Sequence, residues 1–219
     1  MHKHIKIIST KYLTTKQKAS LGNFAVDEVS LIKIQHKNKF SLPEKITHAV
    51  FTSKNGVEGL LNNISNKEIS FENVYCVGDK TSYYLEKNAI EITHSENSAE
   101  ELANYISKKN IEEVYFFCGN LRRNELPEIL KSQDIKVNEI ESYITHLNPV
   151  KLSDDFNAIL FFRPSSIQSY FLKNNNSNAL AFCIGKTTAL EAKKHFSKVI
   201  IADKPLVESV LKSVKQYYE

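Results

Sequence analysis

Val74-Tyr-Cys-Val-Gly-Asp-Lys-Thr-Ser-Tyr-Tyr-Leu85 occurs a second time in this chain, as Ala181-Phe-Cys-Ile-Gly-Lys-Thr-Thr-Ala-Leu-Glu-Ala192. Each copy reads as a buried strand, a glycine turn and the start of a helix. The apolar run suits a parallel strand covered on both faces, Gly78 and Gly185 supply a tight exit, and Thr81 and Thr188 fall in the first helical turn. A helix start of this kind directs backbone N–H groups at any anion.

The likeness extends outward. Val50-Phe-Thr-Ser-Lys-Asn-Gly-Val57 finds a partner in Leu160-Phe-Phe-Arg-Pro-Ser-Ser-Ile167, each a strand running into an amphipathic helix. Downstream, a strand at Ile90-Glu-Ile-Thr93 and a helix from Ser98 answer to Lys198-Val-Ile-Ile201 and a helix from Pro205. Ser98 can cap its helix with Glu101 three residues on, and Pro205 suits a first helical position. Strands alternating with helices at this spacing predict parallel sheets with right-handed crossovers.

The first copy continues with a strand at Val114-Tyr-Phe-Phe-Cys118, a helix opening near Pro127 and a strand over 135–140, pieces the second copy lacks. The N-terminal segment offers them: a strand at Ile5-Lys-Ile-Ile8, a weak helix over 15–21 and a strand from Val29 to Gln35. The expected fold class is therefore α/β, two parallel-sheet domains of similar topology. Residues 1–35 and 147–219 form a discontinuous first domain, and 36–146 form an inserted second one. The chain crosses twice, near 32–38 and 143–148, without a Gly/Ser-rich linker, which predicts a two-stranded hinge. Turns at the carboxyl ends of the strands are then expected to face one another across a cleft.

With 219 residues, 42% hydrophobic and 25% charged, the chain can bury one large or two small cores. The net charge of +4 favours an acidic small ligand, while the dispersed lysines argue against nucleic acid as a partner. Residues 1–8 lack the apolar core and cleavage site of a signal peptide, and no apolar run reaches membrane-spanning length. A cytoplasmic protein with no membrane partner is expected. Cys76, Cys118 and Cys183 close apolar strands without CxxC spacing and read as buried reduced thiols. The histidines are scattered, only His2 and His4 lying close together in a frayed or edge segment, so no metal site is predicted.

The strand-end turns carry the candidate chemistry: Thr52, Ser53, Lys54 and Asn55; Gly78 to Thr81; Gly119 to Arg123, with Asn120 and Arg122; Arg163 to Ser166, with Ser165; and Gly185 to Thr188, with Thr187. Each hydroxyl is either a ligand contact or a cap for its own helix. Arg122 and Arg123 are either solvated surface residues or bidentate carboxylate binders. Tyr143 either packs on the sheet or presents a hydroxyl able to donate a proton. Gly185-Lys-Thr-Thr188 mimics the end of a phosphate loop. The glycine that loop requires five residues earlier is Leu180, and Asp79 in the paired copy repels phosphate, so nucleotide hydrolysis is excluded. The residues alone point to a two-domain cleft for a carboxylate-rich small molecule, whether in an enzyme or in a non-catalytic regulatory protein that closes on an anionic metabolite.

The order of these motifs resembles the uroporphyrinogen-III synthase family. The likeness is carried by Phe51-Thr-Ser with Val57, Val77-Gly with Thr81, Phe117-Cys-Gly-Asn-Leu-Arg-Arg with Leu126-Pro127, and Tyr143 with Thr145. Phe161-Phe with Pro164-Ser165, Ile184-Gly with Thr187-Thr188-Ala189, and Ala202 with Pro205 continue it. The resemblance implies a two-domain fold and a cofactor-free reaction. Hydroxymethylbilane loses water and closes to uroporphyrinogen III with its last pyrrole ring inverted, through an azafulvene-type cation and a spirocyclic pyrrolenine. It implies Tyr143 as the acid at the leaving hydroxyl. Thr81, Thr187, Thr188 and Ser53 are implied as binding residues, and the Gly78 and Gly185 turns as amide donors. Arg163, where relatives often carry serine, either contacts a substrate carboxylate or sits on the surface. A monomer is expected.

Overall fold

Residues 5–64, 69–175 and 178–219 are described by a computed structural model. His2 and His4, expected at a frayed end or edge, lie outside the described residues. From the N-terminus run β1 (Lys6–Ser9), α1 (Thr15–Ala19), β2 (Ala25–Glu28), β3 (Ile32–His36), β4 (Lys45–Phe51), α2 (Lys54–Ile64), β5 (Ser70–Val77) and α3 (Asp79–Lys87). Next come β6 (His94–Glu96), α4 (Ala99–Ser107), β7 (Glu113–Gly119), α5 (Glu125–Lys131) and β8 (Lys136–Leu147). The rest alternates as β9 (Ala158–Phe161), α6 (Pro164–Phe171), β10 (Leu180–Cys183), α7 (Lys186–Ala192), β11 (Val199–Ile201) and α8 (Val207–Tyr218).

The chain divides into two compact units. One joins the described residues up to Lys33 with His146–Glu219, and the other is Ile34–Thr145. The first holds a five-stranded sheet in the order β11-β10-β9-β1-β2, with every neighbouring pair parallel. Asn157 ties the distant segments together: Lys6 N–H donates to its side-chain oxygen at 2.9 Å, and its own N–H donates to the Lys6 carbonyl at 2.8 Å. Strand residues alternate between two apolar layers, as a two-faced parallel sheet demands. Ile7, Leu160 and Phe182 pack with Val210, Leu211 and Val214 of α8, while Ile8, Ile159, Phe161 and Cys183 pack with Ile167 and Tyr170 of α6 and Ala189 of α7.

The second unit holds a six-stranded sheet in the order β3-β8-β7-β4-β5-β6. Val50, Tyr75, Phe116 and Cys118 face α4 and α5. Phe51, Val74, Cys76 and Phe117 face α2 and α3, with the Phe51 and Phe117 rings stacked 4.7 Å apart. All three cysteines are buried and free of disulfides; burial pushes the Cys118 thiol up to about 11 and that of Cys183 up to about 12.

The doubled strand, turn and helix pattern is where the spacing predicts it, but four local expectations change. The strand expected from Val29 to Gln35 is two strands in different sheets. Val29 N–H closes the β2 ladder on the Ser9 carbonyl, Leu31 is buried in the first unit's core, and β3 joins the second sheet. The strand expected at 90–93 lies at His94–Glu96, because 88–90 are used to end α3: Ala89 takes φ +56° and Ile90 N–H returns to the Leu85 carbonyl at 3.0 Å. Pro205 precedes the helix by two positions, since Leu206 is extended and stands at the N-cap. The strand expected over 135–140 continues as β8 to Leu147, which carries Tyr143 on the strand itself.

Candidate functional site

In each unit the candidate turns leave neighbouring parallel strands at their carboxyl ends. The second unit places the turns after β7, β4 and β5 side by side, which groups Asn120, Arg122 and Arg123 with Thr52 and Ser53 and with Gly78 and Thr81. The first places those after β10 and β9 side by side, grouping Gly185, Thr187 and Thr188 with Arg163 and Ser165.

Tyr143 reaches its position through an irregularity. Cys118 pairs with Glu141 but Gly119 pairs with Tyr143, so Ser142 is an extra residue on β8, a β-bulge. Such a bulge re-aims the next side chain. Ser142 is fully buried, and its one hydroxyl proton is shared between the carbonyls of Gly56 and Cys118, each 3.4 Å from Oγ. Gly59 of α2 makes room for it: a Cβ there would lie 2.3 Å from the Ser142 carbonyl oxygen. Beyond the bulge the tyrosine ring lies on Gly119, where a Cβ would come within 2.4 Å of Cε2 and 2.5 Å of Cζ. Its hydroxyl is 3.2 Å from Ser53 Oγ. Ser53 immediately precedes α2, and its Oγ accepts the Gly56 N–H at 3.3 Å, so this one hydroxyl both caps the helix and meets the tyrosine.

The neighbouring polar residues are partly committed to the fold. Asn120 accepts from Thr145 N–H at 2.8 Å and donates to the Thr145 carbonyl at 3.3 Å, clamping β8 just past Tyr143. Arg122 binds a carboxylate as its chemistry suggests, but an internal one: its Nε donates to Glu139 at 2.5 Å, and Lys131 Nζ is 3.0 Å from the same side chain. Against the opposing effect of burial, these two cations hold the Glu139 carboxyl below its ordinary range. Arg123 is exposed.

Capping accounts for Ser53 but not for the other turns. The starts of α3, α6 and α7 have no side-chain cap, which leaves first-turn amides without an intrahelical partner. The two glycines differ. Gly78 adopts φ +79°, reserved in practice for glycine, and its N–H is taken by the Glu96 carbonyl at 2.9 Å, so the amides after it are the available ones. Gly185 is extended at φ −174° with nothing crowding a Cβ, so the tight exit expected there does not explain its glycine. Thr81, Thr188 and Ser165 are buried in their helix starts, whereas Arg163, Lys186 and Thr187 are exposed donors. Thr52 is half-buried beside Ser53.

Sequence reasoning missed the bulge at Ser142 and the roles of Gly59 and Gly119 in seating Tyr143. The Gly56-Val-Glu-Gly59 spacing inside a helical pattern was the available signal, since paired glycines there mark close backbone approach. A cavity of about 440 Å³ between α1 and α8, lined by Thr14, Gln17, Leu211, Lys212 and Lys215, includes none of the candidate residues. Among the described residues no helix is long and apolar enough to cross a membrane.

The family model of uroporphyrinogen-III synthase HemD matches residues 14–212. The porphyrin biosynthesis protein HemD of Ruminiclostridium josui is 22% identical over 243 positions, covering 94% of this chain; the chain spans about half the length of that protein, 48%. Among solved structures, uroporphyrinogen-III synthetase of Helicobacter pylori superposes with a TM-score of 0.73 at 19% identity, covering 97% of this chain and 99% of the other. A mutant uroporphyrinogen III synthase of Thermus thermophilus gives 0.67 at 11%, covering 97% and 98%. These likenesses establish the shared α/β fold, and with a family match over most of its length the chain belongs to the uroporphyrinogen-III synthase family.

Proposed function

We propose that this chain is a uroporphyrinogen-III synthase: it converts hydroxymethylbilane to uroporphyrinogen III, expelling water and inverting the last pyrrole ring as the macrocycle closes. Family membership supports the reaction, and the observation that carries the reading onto this chain is the Tyr143 hydroxyl, held at a strand-end rim by Ser53 and Gly119. Tyr143 gives its proton to the departing hydroxyl, the C–O bond pair leaves with that oxygen as water, and the electron-rich pyrroles carry the resulting cation. The protein's remaining task is to fold and hold a polycarboxylate. Uncapped helix starts at α3, α6 and α7, together with Arg123, Arg163, Lys186 and Thr187, supply the donors.

In this reading both rims hold carboxylates of the one substrate, and the crossings near residues 32–38 and 143–148 act as a hinge. The enzyme works as a cytoplasmic monomer with no cofactor and no nucleic-acid partner. Hydroxymethylbilane generated enzymatically and supplied to the purified chain tests the reaction. Isomer III among the oxidised porphyrins supports the proposal, and isomer I alone, the product of spontaneous closure, refutes it.

A further inference from the structure

The geometry points to Ser53 as a positioning residue for Tyr143 rather than a substrate ligand: its hydroxyl donates to Tyr143 Oη and thereby leaves the tyrosine's own proton directed outward. The inference rests on Tyr143 acting as the acid in the function proposed above. It follows from counting hydrogens. A serine hydroxyl has one proton and two lone pairs. One lone pair of Ser53 Oγ accepts from the Gly56 N–H at 3.3 Å, a donor that cannot reverse and that is shared with the Ser53 carbonyl at 3.0 Å. The partner at 3.2 Å is Tyr143 Oη, and between these two oxygens either can donate. If the tyrosine donates, its proton points at Ser53 and away from a leaving hydroxyl. If Ser53 donates, the tyrosine's proton is free.

The surroundings favour the second arrangement. Gly56 lies in the first turn of α2, an 11-residue helix whose positive end polarises the Ser53 O–H toward donation. Everything else about the tyrosine is already fixed. The bulge at Ser142 aims it, Gly119 seats the ring, and the Asn120 pair with Thr145 holds the strand beyond it. Only the phenolic rotor remains, and Ser53 sets it. As the proton passes from Oη to the leaving oxygen, the negative charge left on the tyrosine is met by the Ser53 O–H, itself strengthened by the Gly56 amide.

Steady-state formation of isomer III separates this role from substrate binding and from capping. Ser53→Gly removes the hydroxyl while keeping a residue that helix N-termini accept well. It is expected to lower kcat by roughly tenfold or more with KM changed by less than about twofold. Ser53→Thr is expected to restore kcat to within about threefold of wild type. Added to Tyr143→Phe, Ser53→Gly is expected to cost nothing further, because the two act as one unit. A raised KM with kcat preserved, or losses that multiply in the double variant, overturns the positioning role while leaving the proposed reaction intact. Absence of isomer III from the wild-type protein overturns the reaction and this inference together.

Discussion

A methyl group on residue 119 would collide with the Tyr143 ring at three atoms, Cε2, Cζ and Cδ2, all within 2.9 Å. Gly119→Ala is therefore expected to tilt the ring away from Ser53 and to cost about 1–3 kcal/mol as an overpacked contact. Isomer-III formation should fall by roughly a hundredfold, the scale of losing a positioned acid. Parallel urea unfolding and kcat measurements check both halves; unchanged turnover would mean that the seat of the ring is irrelevant. Read from the residues alone, Tyr143 is open between sheet packing and proton donation, and its proposed role as acid comes from the family resemblance. What no local pattern revealed is the bulge. Glu141-Ser-Tyr143 alternates like any strand, and the room for the bulge and the ring beyond it comes from Gly59 and Gly119 on two other elements. Gly78 and Gly185 looked equivalent as letters, yet only Gly78 has a backbone that needs glycine.

At the level of elements, α3 ends in a Schellman turn, with Ala89 N–H on the Glu86 carbonyl and Ile90 N–H on that of Leu85, both at 3.0 Å. The left-handed position is filled by Ala89 at φ +56° where glycine is at ease. Ala89→Gly should stabilise the second unit by about 0.5–1 kcal/mol, seen as a higher urea midpoint with an unchanged slope. A lower midpoint would show that the alanine methyl packs better than the strain costs. This turn also explains the displaced strand. The apolar letters of Ile90-Glu-Ile-Thr93 suggest a strand, but β6 forms on polar His94-Ser-Glu96, where His94 stacks on Tyr105 with ring centroids 3.5 Å apart and its Nε2 lies 2.8 Å from Glu96. Likewise the apolar continuity of Val29 to Gln35 concealed a change of sheet, because burial of Leu31 looks the same in a strand as between two. Ser98 was readable because capping is local: its Oγ accepts the Glu101 N–H at 3.1 Å.

Over the whole molecule, the repeat was legible because buried parallel strands and helix starts leave a pattern along the chain. The strand order was not, since β1 lies between β2 and β9 through contacts across roughly 150 positions. The charge balance of both units predicts acid sensitivity. Glu28 and Glu139 are held below the ordinary carboxyl value of 4.5 despite the opposing effect of burial, by Lys18 and the Leu13 amide, and by Lys131 and Arg122. Asn138 and Lys136 lower Glu113 in the same direction. Their stabilisation is complete above about pH 4.5 and is lost as the pH falls through the lower folded values. His48, lowered from 6.5 chiefly by burial, starts the decline earlier, because the unfolded chain binds its proton first. The urea midpoint should thus drop between about pH 7 and 4; a midpoint that rises on acidification would contradict this assignment. The central claim concerns chemistry, and the most direct test is the isomer composition formed from hydroxymethylbilane at increasing concentrations of the purified chain. The account predicts that isomer III rises with protein concentration at the expense of isomer I, while a product that stays isomer I at every concentration would contradict it.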